Sequence, residues 1–216
     1  MTTKMSGNEK LLPDLPGYPA TRLIFVKFTM KHIKNQHVGL DSNCLSFLLD
    51  CIADISEPTG QSPNEQLVMD EKIALLRLWF YKPGSFSFVL TETVISEVAR
   101  IRKVERRKFH ESFIRTLFID YSVRDHVAVQ ARTEQFAEHH TGRSDCRILA
   151  EAEELKLNVV LTYDKKFLKK LTSISATTEI MKPSSYWASL GIPKGAEPVT
   201  VPHHTNPLSE QSWWRW

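Results

Sequence analysis

Residues 38–55 read VGLDSNCLSFLLDCIADI, and this stretch decides the fold. Val38-Gly39-Leu40 is a short apolar run that ends on Asp41. It reads as a buried strand passing directly into a helix. In that helix Cys44, Phe47, Leu48, Cys51, Ile52 and Ile55 fall at i, i+3, i+4, i+7, i+8 and i+11, one continuous apolar face. The same alternation repeats toward the C-terminus. A loop runs from Glu57 through Pro63-Asn64, and a helix is predicted over 65–80. Beyond the Pro83-Gly84 break come a strand at 86–90, a helix from about Thr93, a helix over 105–116 and a strand from Leu117 to Tyr121. A helix follows over 125–138. Gly142 breaks the chain, and Ser144 is the expected N-cap of a helix over 145–156. A strand over 158–162 (NVVLT), a short helix over 165–171 and a strand over 177–181 complete the series. Residues 182–193 read as turn-rich. Strands alternating with amphipathic helices predict an α/β fold, a central mainly parallel sheet with helices on both faces.

The flanks read differently. Residues 1–35 form an N-terminal extension broken by Pro13, Pro16, Gly17 and Pro19, with Arg22 to Met30 as a strand or buried extended segment. Residues 36–193 make up the domain. Residues 194–216 form a tail without periodicity that ends in Trp213-Trp214-Arg215-Trp216. These tryptophans are expected to pack on the body; stacking on bases or on a partner is the alternative.

Composition bounds the function classes. The chain has 216 residues, 42% hydrophobic and 25% charged, with a formal net charge of +3. That excess is too small to identify a nucleic-acid binder, so any basic surface must be local. The cysteines, Cys44, Cys51 and Cys146, are odd in number and form no C-x-x-C. They are expected to be buried reduced thiols rather than a disulfide frame or zinc knuckle. No secretory pattern and no apolar run of membrane-spanning length is evident, so a cytoplasmic protein without membrane contact is expected. The phosphate-loop, dinucleotide, zinc-protease and nucleophile-elbow motifs are absent from the sequence.

In open parallel sheets, ligands bind beyond the carboxyl ends of the strands. Four acids are expected there. Asp41 ends the first strand, Asp164 lies just past the fourth, Asp145 opens the helix leading into that strand, and Glu97 sits early in the helix after the second. Each also has an ordinary structural use: Asp41 as a helix cap, Asp145 at a helix N-terminus, Asp164 in a turn, and Glu97 paired with Arg100 or Lys103. Glu92 competes with Glu97 for the second position, and Glu151 reads as a solvated helix residue. Clustered carboxylates repel one another, and a hard dication such as Mg²⁺ or Mn²⁺ relieves this. Such an ion positions and activates water for attack on phosphorus.

The segments V-G-L-D-S-N (38–43), T-x-x-x-E-V (93–98), S-D-C-R-I-L-A-E-A (144–152) and N-V-V-L-T-Y-D-K-K-F (158–167) resemble, in order, the signatures of PIN-domain nucleases. That family includes the VapC-type toxins. P-S-S-Y-W (183–187) resembles a segment of some bacterial PIN proteins. The resemblance covers roughly residues 36–193. It implies a three-layer α/β/α sandwich and an endoribonuclease that hydrolyses RNA phosphodiesters with Mg²⁺ or Mn²⁺. Asp41, Glu97, Asp145 and Asp164 would then be catalytic and metal-binding, with Asn43, Arg143, Arg147 and Lys165 at the substrate. A toxin role would add an antitoxin protein as partner, and a homodimer is a further expectation. The first motif begins near residue 38, unlike that of the compact toxins. The alternatives are a PIN-like RNA- or protein-binding module with little catalysis, and a related metal-dependent DNA nuclease.

The basic stretch 100–108 (RIRKVERRK) is either a solvated helix face or a phosphate-contacting patch. As a patch, it would put Arg100, Arg102, Arg106 and Arg107 along an approach path to the acids. His139-His140 and His203-His204 lack metal-ligand spacing and read as loop residues.

Overall fold

A computed structural model describes residues 36–52, 63–81, 86–120 and 122–216, with the side chains of 63–67, 117, 119 and 120 left aside. The expected segment from Arg22 to Met30 and the loop before Pro63 lie outside the described residues.

The chain runs β1 (Gln36–Leu40), α1 (Ser42–Ile52), α2 (Pro63–Phe80), β2 (Phe86–Leu90), α3 (Glu92–Ala99), α4 (Val104–Leu117) and β3 (Ile119–Asp120). It continues with α5 (His126–Ala137), α6 (Arg143–Glu154), β4 (Val159–Leu161), α7 (Lys165–Leu171), β5 (Glu179–Met181), α8 (Pro183–Ser189) and a 3₁₀ turn at Pro207–Glu210. The strands form one five-stranded sheet in the order β3-β2-β1-β4-β5, and every pairing is parallel. Val38 pairs with Phe88 on one side and Val159 on the other.

Successive strand residues point to opposite faces of a sheet. Val159, Val160 and Leu161 are nevertheless all buried, as are Phe88, Val89 and Leu90. Both faces are therefore covered by helices, the three-layer α/β/α arrangement. Gly39 permits the close fit at the centre, since a Cβ there would stand 3.0 Å from Leu157 Cδ1 and 3.1 Å from Val160 Cγ2. α1 is buried more widely than its single apolar face predicts. Leu45 and Leu49 are fully buried beside Cys44 and Leu48 because α2, α3 and α4 all pack against the helix. Cys44, Cys51 and Cys146 are buried free thiols.

Several boundaries differ from the sequence reading: Leu117, read as opening a strand, ends α4, β3 is only Ile119–Asp120, and β5 starts at Glu179 rather than Thr177. Pro63 and Asn64 belong to α2 rather than to the preceding loop. α6 begins at Arg143 with Gly142 as N-cap, so Ser144 lies inside the first turn and its hydroxyl is free for another partner. Residues 183–189, read as turn, form α8. That helix is too short for periodicity to reveal. It is set by Pro183 in its first turn and by Glu71 of α2, which accepts from Ser184 N and Oγ, both at 2.8 Å.

The tryptophan-rich end packs on the body. Trp214 is fully buried against Phe80, ring centroids 4.6 Å apart, and its Nε1 donates to Leu208 O. Arg77 of α2 donates to the carbonyls of Trp214 and Arg215, and its guanidinium lies over the Trp216 ring. Among the described residues, no helix is long and apolar enough to cross a membrane.

Candidate metal and phosphate site

The strand order places a topological switch beside β1. The chain leaves β1 toward β2 and β3, then returns to β4 and β5 on its other flank. Crevices beyond the carboxyl ends of strands at such a point are where open α/β sheets hold ligands. Helices that follow parallel strands start at this edge. α1, α3 and α7 follow β1, β2 and β4, and α6, which runs back into β4, starts there too. Their N-termini bring unpaired N–H groups and the positive ends of their dipoles to the same edge.

Asp41 is the best-defined acid. Its N–H donates to Leu161 O at 3.0 Å, extending the β1–β4 ladder by one step. Its Oδ1 accepts from Cys44 N at 2.6 Å, capping α1, and its Oδ2 accepts from the Thr162 hydroxyl. The side chain is buried, and burial pushes its pKa up to about 6. The hydrogen bonds from Thr162 and Cys44 offset part of that rise, and the charge of Asp145 adds to it. Thr162 Oγ1 also accepts from Asp164 N at 3.0 Å, so one hydroxyl ties the ends of β1 and β4 together.

The other acids lie on, or cap, helices that start at this edge. Glu97 of α3 accepts from two hydroxyls, Ser42 on Oε2 and Ser144 on Oε1. These serines adjoin Asp41 and Asp145 in sequence, so Glu97 bridges the starts of α1 and α6. Asp145 is held by the buried His140, Nε2 to Oδ2 at 2.7 Å. Gly142 leaves room for that contact, because a Cβ there would fall 2.5 Å from both Asp145 Oδ2 and His140 Nε2. Asp164 is the N-cap of α7, its Oδ1 accepting from Lys166 N at 2.6 Å and Phe167 N at 3.1 Å. Glu92 turns elsewhere and accepts from Val123 N at 2.9 Å.

Among the described residues, no three of His, Cys, Asp and Glu stand close enough together to form a ready metal cage. The donors at this edge are nonetheless carboxylate and hydroxyl oxygens, the kind hard dications prefer. Mg²⁺ is commonly held by one or two carboxylates with waters completing its shell. Asp145 acts on Asp41 through its charge, which makes these two carboxylates the candidates for such a pair.

Several expected site residues have other occupations. Asn43 has an exposed side chain, and only its carbonyl is engaged, by Tyr163 Oη at 3.0 Å; Ser42 is the polar residue that reaches the acids. Arg143 pairs with Glu134, and Arg147 donates to Glu151 at 3.0 Å. Lys165 is exposed at the start of α7. Glu151 is not a solvated residue. It is fully buried and accepts from Thr93 N at 2.9 Å and Thr93 Oγ1 at 2.7 Å, closing the start of α3. Its place on the packed face of α6, between Ala150 and Ala152, explains the difference.

Two further expectations are corrected. Arg106 does not lie on an approach path. Its guanidinium forms a two-pronged pair with the buried Asp50, at 2.8 and 2.6 Å, because α4 packs on α1. Arg107 donates to Ile101 O. His140 lies in the loop between α5 and α6, as the sequence reading has it, but it is buried and partners Asp145, whereas His139 is exposed. Sequence reasoning missed Ser42, Ser144, Thr162 and His140. Each lies within a few residues of an acid it did choose, but short polar side chains next to a motif carry no period.

Two clefts adjoin these elements. An apolar one of about 720 Å³, lined by Trp79, Phe109, Phe113 and Val201 among others, touches none of the four acids. A polar one of about 410 Å³ includes Ser144, and with it borders the acidic edge. No protein-family model matches the chain, and no curated protein is similar enough to match it.

Proposed function

We propose that this chain is a metal-dependent endoribonuclease of PIN-like design, with its centre at the β1–β4 switch. The observation that carries the reading is Asp41. It is a buried carboxylate raised to a pKa of about 6, with a second carboxylate acting on it and no cationic side chain bonded to it. A charge left so poorly compensated costs stability, and functional sites are where such costs are kept.

Asp41 and Asp145 would hold a Mg²⁺ or Mn²⁺ ion, with Asp164 completing the acidic edge through its unbonded Oδ2. When bound, such an ion supplies an activated water and shields the scissile phosphate. Thr162 fixes the Asp41 carboxylate, and His140 fixes that of Asp145. Glu97, held at both oxygens by serine hydroxyls, would serve as a metal ligand or as the base that orients the attacking water. The toxin role and an antitoxin partner rest on the same resemblance; a homodimer and a cytoplasmic location are separate expectations of the sequence.

A second reading is a PIN-like binding module with little catalysis. It is favoured by the capping work that Asp41 and Asp164 already perform at α1 and α7. Cleavage assays on single-stranded RNA and on DNA, with Mn²⁺ and with EDTA, separate the readings. RNA cleavage that needs Mn²⁺ and falls at least about 100-fold in Asp145→Asn, with an unchanged metal-free melting curve, is expected. Cleavage that survives EDTA, or binding without any cleavage, sinks the nuclease.

A further inference from the structure

The cleft of about 410 Å³ beside Ser144 lies between the start of α3, α5 and the start of α6. Its size suits a nucleotide-sized group. Three arginines line it, Arg100, Arg143 and Arg147, against two glutamates, Glu92 and Glu151. Both glutamates are engaged inward, Glu92 with Val123 N and Glu151 with Thr93. Arg147 is anchored through Nε by the fully buried Glu151, which holds its guanidinium at the cleft. Arg143 has an exposed pair with Glu134, side chains 68% and 50% accessible, and exposed pairs are weak enough to exchange for a ligand oxygen. The Arg100 side chain makes no hydrogen bond or ion pair among the described residues.

We infer that this cleft is a subsite for a backbone phosphate of the RNA strand, one that grips charge and does not read bases. Ser144 belongs both to the cleft and to the Glu97 bridge, so a phosphate here lies along the strand from the acidic edge. Arginine is suited to the role because its planar fork binds phosphate through paired N–H groups. Among the described residues, the lining includes no aromatic side chain on which a base could stack. The acids repel phosphate, and Arg100, which no carboxylate of the described residues pairs, supplies local attraction that a net charge of +3 does not. The inference rests on the nuclease reading only in naming RNA as the ligand.

The test measures binding of oligouridylate and oligoadenylate in EDTA across a salt series, so that neither metal nor cleavage enters. Arg100→Ala should weaken both ligands about five-fold and lower the salt slope by roughly 0.7, the value of one single-strand phosphate contact. Arg143→Ala, at a well-exposed position, should do the same, and Arg100→Lys should keep the slope. Unchanged affinity and slope in both alanine variants would overturn the subsite. So would a changed preference between the two ligands, or an acidic peptide that binds through Arg100 where RNA does not. Binding as expected without cleavage sinks the nuclease and leaves the subsite; cleavage with binding indifferent to Arg100 and Arg143 sinks the subsite alone.

Discussion

Asp41 and Asp50 stand at the two ends of the same buried helix, and their surroundings are opposite. Asp50 is buried but meets Arg106 in a two-pronged pair and His110 Nε2 at 2.9 Å, both from α4. Burial pushes its pKa up, yet the hydrogen bonds from His110 and Arg106 and the Arg106 charge outweigh burial and leave it below the ordinary value. Asp41 is buried more deeply, meets only neutral donors, the Cys44 N–H and thiol and the Thr162 hydroxyl, and has Asp145 as its charged neighbour. Its pKa rises to about 6. A carboxylate that serves the fold is given a counter-ion at the moment of packing. Asp41 is instead held in place by neutral donors, with its charge left open.

The contrast can be broken most forcefully at Asp50. Asp50→Ala leaves Arg106 and the fully buried His110 without their acceptor, and should cost about 4 kcal/mol in denaturant unfolding. Because the folded pKa of Asp50 lies below 3.8, its contribution is complete above that value and fades as pH falls through the folded one. The variant should therefore lose less stability than the native chain on acidification below pH 3.8. A loss under about 1 kcal/mol at neutral pH would mean that the cluster is not structural.

Asp41→Asn should act in the other direction. Asparagine caps a helix as well as aspartate does, and it carries no charge to bury. The folded pKa of about 6 lies above the ordinary 3.8, so the folded chain binds this proton more tightly than the unfolded one. The penalty grows as pH rises from 3.8 to 6 and stays level above that. Removing it should stabilise the metal-free protein by up to about 3 kcal/mol at pH 7.5 and by nothing below about pH 4. Thermal melts at both pH values would show this. Destabilisation at pH 7.5 would make Asp41 a structural acid like Asp50.

The smallest effect is expected at Gly142→Ala. The backbone there, φ −74 and ψ 90, is open to alanine, so the only conflict is the new Cβ against Asp145 Oδ2 and His140 Nε2. A loss of about 1 kcal/mol is expected. The rise in melting temperature caused by Mn²⁺ should shrink more than the metal-free stability does, since Asp145 moves. An undiminished Mn²⁺ shift would remove Asp145 from the site.

Much of this protein is written locally. The β1–α1 stretch announces itself through consecutive apolar residues followed by a helical apolar stripe, and the same pattern recurs through α7. Periodicity is a local property, so strand and helix order, the parallel sheet and the four acids at its edge can be read along the chain. Among the boundaries that differed, those at Pro63, Arg143 and α8 are where a cap or a tertiary partner such as Glu71 sets the element rather than its pattern.

Which charge meets which is decided only by packing. Arg106 and Arg147 look alike in sequence and both meet a buried carboxylate, but α4 brings the first to Asp50 of another helix, whereas the second meets Glu151 of its own helix at an open cleft. Glu151 and Glu97 are both helical glutamates. One is fully buried at the start of α3, and the other is held between two serines beside Asp41 and Asp145. A side chain's hydrogen bonds and its desolvation depend on residues far along the chain, and these contacts exist only once the helices have closed on the sheet.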